Sequence, residues 1–107
     1  MKGVPVAVKI VIDRQAKPGH GDALLEVYRG LLPDTRAFAG CLSAEIFRNT
    51  DDPENFVIIE LFESREAYQQ YVDWRVGSGV LSSLFEHLAT SPAPTLLVAW
   101  PDSGSPW

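Results

Sequence analysis

The 107 residues predict an α+β domain in which an antiparallel sheet carries its helices on one face. Three observations predict it. Strand-like and helix-like segments follow one another in the order β-α-β-β-α-(α)-β. The two middle strand segments are separated only by the turn-forming "DDPEN", which makes them a hairpin. A chain that is 46% hydrophobic and 10% aromatic has the composition of a single packed domain. That order is the split βαβ, or ferredoxin-like, arrangement, with a four-stranded antiparallel sheet.

"VPVAVKIVID" (residues 4–13) is rich in β-branched residues and reads as the first strand, closed by the turn former "RQAKPGHGD". Asp22 is the N-cap candidate for the first helix, in which Leu24, Val27, Tyr28 and Leu31 recur at helical spacing. Leu32-Pro33 predicts an interruption or kink before "DTRAFAG" carries the helix to Gly40. "CLSAEIFRNT" (41–50) and "FVIIELFE" (56–63) are the hairpin strands. "SREAYQQYVDWR" (64–75) is the second helix, capped by Ser64 and broken at "VGSG". "VLSSLFEHLAT" predicts a short further helix and "TLLVAW" a last strand. The ordered core is expected over about 4–100, with 101–107 as a tail.

The strands are apolar on both sides. In "FVIIELFE", Phe56, Ile58 and Phe62 point one way, and Val57, Ile59 and Leu61 the other. A half-solvated antiparallel sheet alternates apolar with polar residues, so the face without helices also needs a cover. Nothing else in the chain supplies one. The pattern therefore predicts a homodimer through the sheet face, two sheets closing a dimeric α+β barrel.

Nine Lys and Arg against fourteen Asp and Glu, with no basic run, argue against nucleic acid as a partner. No apolar run approaches the roughly 20 residues of a membrane span, and the start "MKGVPVAVKIVID" lacks the features of a signal peptide. A cytoplasmic location is the expectation. A single cysteine with only His20 and His87 leaves too few soft ligands for a structural zinc site, so no metal is expected. "GHGDAL" and "VGSGVLSS" lack the residues of dinucleotide and phosphate loops, so no cofactor is expected either.

The candidate site follows from two periodicities. At about 100° per residue, Tyr68, Tyr71, Trp74 and Arg75 share the inner side of the second helix. Glu60 shares strand parity with Ile58 and Phe62, which makes that strand face the floor beneath the helix. A core with polar tips and the wall of a pocket have the same pattern at this level. As a pocket, Tyr68, Tyr71, Trp74, Phe62 and Ile58 would hold a flat aromatic and Arg75 would stabilise its anion. Glu60, desolvated, would serve as a base unless paired with Arg75 or Arg29. His87, at the edge of the stripe Leu81, Leu84 and Leu88, is the first candidate for a general base, because its ordinary pKa suits proton transfer near neutrality.

From about Val6 to Leu97 the sequence resembles the antibiotic biosynthesis monooxygenase (ABM) family, in its segment order and in "TRAFAGCLSAEIFRN", "DDPENFVIIELFESREAYQQYVDWR" and "VLSSLFEHLA". The resemblance implies a small dimeric α+β barrel. It also implies a cofactor-independent monooxygenase that oxidises a flat hydroxylated aromatic, of polyketide anthrone or quinol type, with O₂. A non-catalytic ligand-binding or cyclisation-assisting module of the same fold is the alternative. Many members carry a Trp after the Glu of the third strand, where this chain has Phe62 two residues after Glu60. The haem-degrading members use an Asn on the first strand that "VAVKIVID" lacks, which leaves haem binding a minor alternative.

Overall fold

The computed structural model describes residues 7–89 and 96–99. The elements are β1 (Val8–Gln15), α1 (Gly21–Ala37), β2 (Cys41–Arg48), β3 (Asn55–Phe62), α2 (Arg65–Ser78), α3 (Leu81–Phe85) and β4 (Leu96–Ala99). Three eight-residue strands, in spatial order β2-β3-β1, make the body of an antiparallel sheet; where the pattern predicts a full fourth strand, four residues of β4 pair along β1. Residues 4–6 expected in β1, Thr95 and Trp100 at the two ends of "TLLVAW", and the tail lie outside the described residues. Among the described residues no helix is long and apolar enough to cross a membrane.

Strand parity is as the alternation predicts. Phe56, Ile58, Glu60 and Phe62 of β3 are buried beneath the helices with Val8 and Ile10 of β1 and Ala44 of β2. Val11, Val57, Ile59 and Leu61 point to the far face and are only partly covered, beside a Phe47 that is 48% exposed. The helix-side core falls into two clusters. One joins Leu24 and Tyr28 of α1 to Phe56, Ile58, Leu84 and Leu88. The other joins Ala67 and Tyr71 of α2 to Val8, Ile10 and Phe62.

Several boundaries differ from the pattern. Pro33 does not divide α1, which runs unbroken through it. The missing N–H costs one helical bond, but tertiary packing of Leu24, Tyr28 and Thr35 holds the helix on both sides of the proline. Asp22 is not the cap. His20 occupies that position without a side-chain bond, and Asp22 in the first turn meets Arg48 at 2.8 Å. Ser64 does cap α2, its Oγ accepting from Ala67 N at 3.0 Å. The helix continues through Gly77 and ends at Gly79 in the left-handed region. Gly40 (φ 93°) turns the chain from α1 into β2, where a Cβ would stand 2.6 Å from that of Ala67. Helix α3 stops at Phe85 rather than continuing to Thr90, because Leu88 turns down to bridge Ala16.

Candidate functional site

Between the two core clusters the packing leaves a cavity of about 240 Å³, floored by β1 and β3 and walled by all three helices. Of the residues that the sequence places in a site, Ile58, Glu60, Tyr68, Tyr71 and Arg75 line it. Three do not. Phe62 has the expected parity but is wholly buried beneath Tyr68 and Tyr71, as core. Trp74, at the edge of the stripe, is 41% exposed and covers Phe38 and the Arg75 guanidinium from outside. His87, beyond the end of α3, sits against His20, with the two Nδ1 atoms 3.0 Å apart in a hydrogen bond. It is not among the residues that line the cavity, whereas Glu60 is.

Glu60 stands on the central strand, paired across to Ile10 on one side and Ala44 on the other. It is 5% exposed, and its Oε1 has no hydrogen-bond partner among the described residues. Burial among apolar neighbours pushes its carboxyl up from 4.5 to about 7, and the positive charge of Arg75 only partly opposes this. The alternative of a paired glutamate is not realised among the described residues. Arg29 meets Glu26 instead, and Arg75 makes no ion pair with Glu60.

Arg75 is also 5% exposed. Its Nε donates to Tyr71 Oη at 3.1 Å, and its Nη2 donates to Leu31 O and Thr35 Oγ1, both at 2.8 Å. Thr35 Oγ1 donates its one proton to Leu31 O at 3.1 Å, so the 2.8 Å contact between Thr35 and Tyr71 carries the phenol's proton. This network joins α2 to α1 on both sides of the proline, through Leu31 and Thr35. It also commits the Tyr71 hydroxyl inward, which leaves that residue's ring as its contribution to the cavity wall.

Three lining residues escape the sequence pattern. Arg14 lies in the segment read as a turn, although the alternation Ile10, Ile12, Arg14 continues the inward parity of β1. Tyr28 is one turn beyond Leu24 on the inner side of α1, a position that reads simply as core. Thr35 follows Leu31 by one turn, beyond the expected break. Arg14 donates to the Tyr28 hydroxyl, but burial outweighs it and holds the phenol up at about 12. Among the described residues no group of three or more His, Cys, Asp or Glu is placed to hold a metal ion.

The sequence matches the family model described as antibiotic biosynthesis monooxygenase over residues 7–74. No curated protein matches it. Several solved structures share the fold. A conserved protein from Methanosarcina mazei Go1 is 17% identical, with 87% of this chain and 91% of that one covered and a TM-score of 0.78. An antibiotic biosynthesis monooxygenase is 24% identical over 90% of this chain and 98% of that one, with a TM-score of 0.73. A variant of SnoaB, a cofactor-independent oxygenase from Streptomyces nogalater, is 12% identical over 92% and 96%, with a TM-score of 0.77. At these identities the likeness is one of fold. The match to the family model, spanning more than half of the residues, carries the assignment: the chain belongs to the antibiotic biosynthesis monooxygenase family.

Proposed function

We propose that the protein is a cofactor-independent monooxygenase, acting in the cytoplasm on a flat hydroxylated aromatic of anthrone or quinol type. The observation that carries the reading is the buried Glu60 carboxyl, its Oε1 without a hydrogen-bond partner among the described residues, at the floor of a cavity walled by Tyr68 and Tyr71. Family membership and the fold shared with a cofactor-independent oxygenase support it. An ionising group near 7 is matched to proton transfer at neutral pH. The charge of Arg75 in the wall favours an anionic ligand.

From an anthrone, Glu60 takes an acidic proton of the methylene carbon. The carbanion passes one electron to dissolved O₂, and the resulting radical and superoxide join in a C–O bond. The peroxide recovers the proton from Glu60, then loses water together with the remaining hydrogen on that carbon. One oxygen atom stays as the new carbonyl and the other leaves as water.

The apolar far face, centred on Ile59, supports a homodimer through the sheet as the working form. Oxygen uptake with 1,8-dihydroxyanthrone, measured above its uncatalysed oxidation, tests the function. Uptake is expected to rise as pH passes about 7 and to be lost in Glu60→Gln. Uptake no faster than in buffer overturns the reading.

A further inference from the structure

Two side chains meet the cavity with opposite hydrogen-bonding roles. Glu60 comes from the sheet and offers a lone pair on Oε1. Tyr28 comes from α1 and offers a proton. Arg14 can only donate, so it occupies a lone pair of Tyr28 Oη. No acceptor for the phenol's own proton is found among the described residues. Burial keeps that proton on the ring oxygen, up to about 12, so Tyr28 gives a hydrogen bond without ionising. Tyr71 cannot share this role, because its proton goes to Thr35.

A base and a separate donor suit one kind of acid better than another. A hydroquinone that yields its O–H to Glu60 develops charge on that same oxygen, beside the carboxyl and away from the donor. A ketone with an acidic C–H develops it elsewhere. Its carbon loses the proton to the base, and the charge appears on the carbonyl oxygen, where a donor held in advance binds it more strongly than the neutral carbonyl.

We infer that the site enolises aromatic ketones without oxygen, with Glu60 as base and Tyr28, held by Arg14, as the donor to the enolate oxygen. The C–H bond beside the carbonyl breaks and its proton goes to Glu60 Oε1. Its electron pair forms the C=C bond while the carbonyl π pair moves onto oxygen. Return of the proton to carbon or oxygen completes the tautomerisation, and nothing is oxidised or reduced. The inference rests on the proposed function only in taking Glu60 as the base.

The test is hydrogen exchange of 2-tetralone in D₂O under argon, followed by loss of its benzylic proton signal in NMR. Wild-type protein is expected to exchange it faster than buffer, Glu60→Gln to return it to the buffer rate, and Tyr28→Phe to slow it about 100-fold. Binding of 2-naphthol, whose hydroxyl stands in for the enol, reports whether the Tyr28→Phe cavity is intact; weaker but measurable binding is the expected result. Exchange at the buffer rate in wild type, or undiminished exchange in Tyr28→Phe, overturns the inference. Exchange without oxygen uptake from dihydroxyanthrone upholds it and removes the oxygenase reading. Uptake without exchange does the reverse.

Discussion

Replacing Glu60 by glutamine tests the electrostatics of the cavity through stability alone. The carboxyl is 5% exposed and titrates near 7 in the fold, against 4.5 for the ordinary group. Between these values the folded protein holds a proton that the unfolded chain has released. Its stabilising contribution is therefore complete below about 4.5 and is lost as pH rises through 7. At about 1.4 kcal/mol per pH unit, the loss over that interval is about 3 kcal/mol. Glutamine has nearly the same shape and does not titrate. The variant's stability relative to wild type should therefore improve by about that amount between pH 4.5 and 8.

Urea unfolding at pH 5, 6, 7 and 8, followed by circular dichroism and tryptophan fluorescence, measures this difference. The expected result is two stability curves that diverge with pH, with the variant gaining on wild type. The m-values should be equal, so that the midpoints report stability directly. Parallel curves across this range would refute the reasoning, because they would mean that Glu60 is as well solvated or as well paired in the fold as in the unfolded chain.

Tyr71→Phe removes the hydroxyl between Arg75 and Thr35 and should cost about 1–2 kcal/mol in thermal unfolding. Arg75→Met and Thr35→Val share a 2.8 Å bond, so a double-mutant cycle should give a coupling of about 1 kcal/mol or more, where independent sites would give none. Ile59→Asp places a charge at the centre of the apolar far face, and light scattering should show a dimer becoming a monomer; a monomeric wild type would overturn the dimer. Ser64→Ala deletes the cap of α2 and should cost about 1 kcal/mol in urea unfolding.

What the sequence reveals of the site depends on how far each contact reaches along the chain. Parity along β3 and spacing along α2 are local, and they orient Ile58, Glu60, Tyr68, Tyr71 and Arg75 before any tertiary structure is known. Strand ends are not local. β1 runs on to Gln15 because Phe56 and Asn55 of β3 are there to pair with Arg14 and Gln15, and this brings Arg14 into the cavity. His87 leaves the site for the same kind of reason, since the bridge between Leu88 and Ala16 draws its segment towards the start of α1. The cavity itself is less local still. It exists because the cluster under α1 and the cluster under α2 do not meet above Ile12, and no periodicity in either helix records the distance between them. Tyr28 shows the consequence: its spacing from Leu24 says only that it faces inward, and the gap between the clusters makes that inward face one wall of the cavity.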